Sequence, residues 1–393
     1  MTKLQLQRIG MGFCAAAILA LAACGGGGGI GGTGAPIGTL RFAVTDAPAC
    51  GYDQVNVTLQ KVRVHQSTTA ADTDSGWSEV VLAPEKRVDL LTLTNGVLEE
   101  LGQTALPAGK YTQLRLVLAD NTPAAPLANS VVPTGGAETA LDTPSAAQSG
   151  LKLNVDIDVP AGQLADFVID FDACKSVVRR GNSGRFNLKP VIRVIPRLTA
   201  AGLRVVGYVA PAIANPATQV SLQLNGVPVR ATVPDASGTF VLYPVPVGSY
   251  DLVVTAAGHA TSVMTSVPVT TATVTAVNGT ATAITPVTSA SRTVTGTVTP
   301  TSATVRATQA LSGGPTVEAA WAPVDADTGR FDFTLVQAAP GKTAYVANPV
   351  TLAFTPDPTA AGKYRLVAAS GAATKTQDID VAAPVPPVTF TFP

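Results

Sequence analysis

Hydrophobic and polar residues alternate along most of this chain with a period of two. Leu40, Phe42 and Val44 take turns with Arg41, Ala43 and Thr45. That period sends one set of side chains to each face of a strand. It returns at Val55, Val57 and Leu59, at Leu114, Leu116 and Leu118, at Leu151 through Val159, and at Phe167, Ile169 and Phe171. After Leu59 the apolar phase moves to Val62 and Val64, which predicts a bulge near Gln60 and Lys61. Pro48 should end the first strand, since proline cannot donate to a ladder. Val88 to Leu93 is a short apolar run, and Thr94-Asn95-Gly96 reads as a turn. Residues 121–149, rich in Ala, Pro, Thr and Gly, read as a long loop. No segment carries a convincing amphipathic helix, so the expected fold is all-β.

The turn signals divide the folded part into three units, 36–199, 202–288 and 290–393. The second is centred on Asp235-Ala236-Ser237-Gly238-Thr239-Phe240, a type I turn feeding a strand. Pro246-Val247-Gly248-Ser249-Tyr250 then turns the chain into another strand. The third repeats this grammar at Asp327-Thr328-Gly329-Arg330-Phe331, at Pro340-Gly341 and at Gly362-Lys363-Tyr364. A Pro-x-Gly-x-Tyr signal occurs in the first two units and ends at Tyr111 and Tyr250. It predicts a turn pinned by a tyrosine, a structural role. No Asp, Glu, Lys or Arg lies between Asp251 and Arg292. β-branched strands joined by a linker account for that stretch, with a sticky or glycosylated surface as the alternative.

The start of the chain follows another grammar. Lys3 and Arg8 precede an apolar run that ends in small residues, as in a secretory signal. Leu21-Ala22-Ala23-Cys24 resembles the lipobox of bacterial lipoproteins. The resemblance implies cleavage before Cys24, acylation of Cys24 by lipids such as palmitate, and attachment to the membrane by that lipid. The absence of Asp at Gly25 resembles outer-membrane sorting signals. Residues 1–23 are then the signal peptide, and 24–35 a lipidated cysteine with a flexible glycine tether.

Further motifs carry family resemblances. Val44-Thr45-Asp46-Ala47-Pro48, Pro107 to Tyr111, Asp170 to Val177 and Leu188 to Ile192 resemble the bacterial domain of unknown function 4382. That family has no established activity. The second unit, including Gly258-His259, resembles a carboxypeptidase regulatory-like domain of the transthyretin type. Together these resemblances imply tandem β-sandwiches, Ig-like or transthyretin-like.

Composition narrows the chemistry. Only 13% of the 393 residues are charged, and the formal net charge is zero. Removing residues 1–23 leaves a slight acidic excess, which offers no general attraction for nucleic acid. With Cys14 in the signal and Cys24 lipidated, Cys50 and Cys174 remain. A disulfide between them is expected in an exported compartment. Two buried thiols or half of a metal site are the alternatives. His65 and His259 are the two histidines, and each reads as structural or solvated. There is no His-Glu-x-x-His, Gly-x-Ser-x-Gly or phosphate-binding glycine loop, so no enzyme is expected.

Four acidic residues stand out. Asp156 and Asp158 share one strand face, as do Asp170 and Asp172. If the two strands were neighbours, the four carboxylates could hold calcium. The alternative is a solvent face, neutralised by the basic run Lys175, Arg179, Arg180, Arg185, Lys189, Arg193 and Arg197. That run is also a candidate for anionic glycan or lipopolysaccharide. Asp325-Ala326-Asp327-Thr328-Gly329 looks like a calcium loop but reads better as a turn. Asp46 keeps the buried parity of its strand, so it either caps a loop or lines a site. The expected function is a non-enzymatic binding or structural module for a glycan, an envelope component or a protein. A metal-dependent accessory role is the alternative.

Overall fold

The alternating segments become strands in a computed structural model, which describes residues 35–46, 51–144, 149–198 and 200–393. Residues 36–393 form one compact unit. Within it three hydrophobic cores lie between paired sheets, so the fold is all-β with tandem sandwiches.

In the first sandwich the smaller sheet has four strands, ordered Ile192–Pro196, Leu164–Phe171, Ile37–Asp46 and Glu99–Pro107. Its middle pair is parallel and its outer pairs antiparallel. The larger sheet is built around Tyr52–His65, which slips register between Leu59 and Lys61 against both Ser78–Asp89 and Gly109–Leu118. This is the bulge that the phase shift predicts. Residues 121–149 are not simply a loop. Ser130–Pro133 and Thr139–Asp142 pair with each other and extend the larger sheet. Strands of four residues are too short to show a period. Val88 and Asp89 are the last residues of a strand, and Leu90–Leu93 form a single 3-10 turn capped by Asp89.

The tyrosine turns have one geometry in both units. The Tyr111 hydroxyl donates to Pro107 O at 2.8 Å and the Tyr250 hydroxyl to Pro246 O at 2.9 Å. Each tyrosine thus closes its own Pro-x-Gly turn, as expected. The Asp–Gly–x–Phe turn also recurs, but in the third unit its capping residue is Asp325 rather than Asp327. Asp325 Oδ1 accepts from Asp327 N and Thr328 N, as Asp235 Oδ1 accepts from Ser237 N and Thr239 N. One extra residue before Gly329 hides the match in the sequence.

The second and third sandwiches share a sheet. Six strands run in the order Val227–Thr232, Gln219–Leu224, Gly248–Thr255, Ser262–Val269, Gly341–Ala344 and Thr355–Pro356. The last two come from the stretch expected in the third unit. Gly341 N donates to Thr261 O at 2.8 Å and Tyr345 N to Thr265 O at 2.9 Å. Tyr345, Leu352 and Phe354 pack against the second core. Ser262–Val269 therefore has partners on both edges. Its Met264, Val267 and Val269 face that core, while Val263 joins Val253, Leu311 and Val317. Burial on both faces and both edges explains why this part of the 251–292 stretch has no charge.

Candidate functional site

Several of the charged residues picked out by sequence, Asp170, Asp172, Lys175, Lys189 and Arg193 among them, converge on a buried junction of all three sandwiches. The outer face of the small first sheet would normally be wet. Here Ala43, Val168 and Ile195 on that face are buried. The register places Thr45 beside Asp170 and Asp170 opposite Arg193. Arg230, on the second sandwich's edge strand, points into this face and is fully buried. It forms an ion pair with Asp170, whose side chain is 7% exposed. Arg230 Nη2 donates to Thr45 Oγ1 at 2.9 Å, and Nε donates to Tyr243 O at 3.2 Å. Cross-strand pairing would have joined Arg193 to Asp170. Instead Arg193 donates to Pro228 O of the second sandwich. The docked domain supplies a better-enclosed guanidinium, and a buried carboxylate requires such a partner.

Asp172 lies two residues further on, just past the strand end. It caps the one-turn helix Ala173–Ser176, accepting from Lys175 N at 3.0 Å. Lys175 is buried and reaches the third sandwich. Its Nζ lies 2.7 Å from Glu318, 3.8 Å from Asp172 and 4.8 Å from the Trp321 ring centre. Burial pushes the Asp172 carboxyl up to about 6, against the opposing pull of Lys175. Gln223 of the second sandwich closes the corner. Its amide donates to Glu318 O at 2.9 Å and accepts from Glu318 N at 2.8 Å.

Asp46 is fully buried, and its Oδ1 accepts from Ala173 N at 2.8 Å. This is capping of the kind its parity suggests. The four carboxylates do not assemble into a metal site. Asp156 and Asp158 are exposed on the large sheet, with Asp156 2.9 Å from Lys110. Asp170 and Asp172 belong to the small sheet and to the helix start that follows it. The two acidic strands lie in different sheets, so the calcium set fails on topology. Cys174 lies on the one-turn helix, and Cys50 and Cys24 lie outside the described residues.

Much of the basic run is consumed at the junction rather than solvated. Lys189 Nζ donates to Thr301 O and Ala303 O of the third sandwich at 3.1 and 2.9 Å. Burial lowers the Lys189 pKa. Arg180 lies 3.4 Å from Asp327, and Gly181 N donates to Asp325 Oδ2 at 2.7 Å. The loop that looks like a calcium site is therefore a docking turn. Burial acts upward on Asp325, but donors from Thr328, Gly181 and Asp327 hold its carboxyl low. Arg185 pairs with Asp142, and Arg197 with Asp166 and Glu100.

One surface cluster escaped the sequence analysis. Trp77, one of two tryptophans, is half-buried on the large sheet of the first sandwich. Arg63 and Arg115 stand opposite each other there, with guanidinium carbons 4.6 and 5.0 Å from its ring centre. Arg63 pairs with Asp72 and Glu79, and the His65 ring lies 5.0 Å from the indole. The indole N–H donates to Ala71 O at 3.0 Å, which fixes the ring. The scarcity of tryptophan was the available signal. His65 Nε2 lies 3.0 Å from Ser75 O, and His259 Nδ1 2.8 Å from Ala257 O.

Residues 37–190 match the model of a family described as domain of unknown function DUF4382, so the first sandwich carries that domain. No curated protein matches the chain. Among solved structures, two interface mutants of a type II cohesin–X–dockerin complex from Acetivibrio cellulolyticus are 23% and 22% identical, with TM-scores of 0.20 and 0.19. The match covers 22% of this chain and 59% of each of those chains. A tetra-tandem repeat from the extending region of a large adhesion protein is 12% identical, with a TM-score of 0.12. It covers 86% of this chain and 99% of the other.

Proposed function

We propose that this chain is an exported lipoprotein, anchored through Cys24, that acts as a non-enzymatic binding and structural module of the bacterial envelope. The observation that carries the reading is how the buried charges are used. Asp170, Lys175, Arg230 and Glu318 are engaged in holding three sandwiches together. A chain with a lipobox and a glycine tether followed by a tightly docked array suits a stand-off from a bilayer. The outer membrane is the proposed location. Cys24→Ser should move the protein from the membrane fraction to the soluble fraction. Retention of the variant in membranes would end the reading.

The Cys50–Cys174 bridge belongs to the same proposal. Asp46 holds Ala173 by a hydrogen bond, and Cys50 follows Asp46 by four residues, a reach of about 13 Å when extended. For the ligand we propose a glycan at Trp77, where a fixed half-exposed indole stands beside Asp72, Glu79 and His65. Apolar sugar faces stack on such rings while the polar rim takes hydroxyls. Binding of envelope polysaccharide should be lost in Trp77→Ala while the chain stays folded, at a cost of about 1–2 kcal/mol from the lost cation–π contacts.

A further inference from the structure

We infer that the second and third sandwiches are built to carry tension along the chain, because in each the first strand pairs in parallel with the strand by which the chain leaves it, the strands Gly341–Ala344 and Thr355–Pro356 being added to the second sheet later by the third unit. In the second, Val205–Tyr208 lies parallel to Thr275–Ala276, with Val205 beside Thr275 and Val206 beside Ala276. The pairing continues at Val209 and Ile284. Thr275 N donates to Arg204 O, Val277 N to Val206 O and Ile284 N to Tyr208 O, at 2.9, 3.0 and 2.9 Å. In the third, Ser291–Thr299 lies parallel to Val388–Thr391, from Gly296 beside Val388 to Thr299 beside Thr391. Phe392 N extends the ladder to Thr299 O at 2.8 Å.

The chain enters the second sandwich at Val205 and first leaves it beyond Ile284, and it enters the third at Ser291 and leaves it beyond Thr391. In a parallel pair those points lie at opposite ends of the ladder. Tension then loads every hydrogen bond at once, in shear, because parallel bonds are evenly spaced along the pair. Peeling would break them one after another.

Two glycines give independent support. A Cβ on Gly207 would lie 2.5 Å from both the Phe240 ring and Val277. A Cβ on Gly296 would lie 2.3 Å from Val388 O and from the Phe331 ring. In both sandwiches a glycine in the first strand lets the last strand and a neighbouring phenyl ring close over it. The phenyl is that of the repeated Asp–Gly–x–Phe turn, so the two sandwiches share one device.

The first sandwich lacks it. Ile37–Asp46 is parallel to Leu164–Phe171, but the closing strand Ile192–Pro196 runs antiparallel to the latter. Entry near Thr39, beside Leu164, and exit at Pro196, opposite Phe167, lie at the same end of the sheet. Tension there peels the closing strand.

The physiological side of this inference rests on the anchored-module reading, since an anchored chain that holds a ligand is pulled. The test is single-molecule stretching of the full chain. Pulled by its two ends, the chain should show one weaker rupture, for the first sandwich, and two stronger ones. The full chain is then pulled between its C-terminal end and a coupling handle at exposed Ser302, just beyond Thr299. That geometry unzips the terminal pair of the third sandwich. Its rupture force should fall about twofold or more, because forced unfolding follows the barrier along the pulled path. Equal forces in the two geometries, or a first sandwich stronger than the others, would overturn the inference. The rupture forces should be the same in Cys24→Ser, so anchoring and load-bearing can fail separately.

Discussion

The second sandwich meets its two neighbours in opposite ways. Toward the first it offers side chains: Arg230 in a buried ion pair, and strand edges met by the Asn95 turn. Toward the third it shares backbone, through Gly341–Ala344 in its own sheet. A side-chain junction depends on a few groups whose loss leaves an unpaired buried charge. A shared sheet depends on a whole segment, and single side chains matter less. The lesson is that similar sandwiches can be joined by chemistry or by topology, with different points of failure.

The largest expected effect is at Arg230. Arg230→Ala strands Asp170 in a buried site and should cost about 3–5 kcal/mol. Calorimetry should show the first sandwich melting apart from the other two. One unsplit transition at the original temperature would remove the ion pair from its role.

Asp172 tests the junction through pH. Its carboxyl is pushed up to about 6 in the folded chain, against a reference of 3.8. The unfolded chain therefore loses this proton first, so stability falls as pH rises from about 4 to about 6. The loss is of order 3 kcal/mol at most, and it persists above that window. Asp172→Asn keeps a capping side chain without the charge. Urea unfolding from pH 4 to 7 should show a flatter profile in the variant, with higher stability at pH 7. An unchanged slope would contradict the assignment.

A smaller effect is expected at Asn95, which has φ of 59°. Its backbone N–H donates to Thr232 Oγ1 at 2.7 Å and its side chain accepts from Val241 N at 2.5 Å. Asn95→Ala should cost about 1–2 kcal/mol, from the lost bond and the strained backbone. A variant as stable as the parent in chemical unfolding would show that the turn does not dock. The smallest effect belongs to the exposed acidic strand. Asp156→Asn with Asp158→Asn should leave the melting temperature unchanged, with or without added calcium. A calcium-dependent difference would revive the metal reading.

The strands of the first sandwich were legible because polar residues alternate with apolar ones along them, even where the docked sandwiches bury the polar face, as at Thr45 and Asp170. The Leu59–Lys61 bulge was legible for the same reason. Ser130–Pro133 and Thr139–Asp142 are too short to alternate, and they were missed. Asp170 could be recognised as unusual, but not as the partner of Arg230, which lies 60 residues away on another sandwich. Arg193 looked like the nearer answer. Trp77 was visible in the composition, yet its stacking on Arg63 and Arg115 depends on two strands meeting in register.

Local pattern thus sufficed for the all-β class and the tyrosine turns, because each depends on residues within a few positions of one another. Tertiary structure alone decided which charges are buried, which strands are shared, and how the entry and exit of each sandwich are oriented. Those properties depend on contacts across 60 to 143 residues, as in Arg230–Asp170 and Lys175–Glu318. Strand alternation says which face is apolar, but not what will cover the other face, and here that cover turned a polar surface into a buried junction.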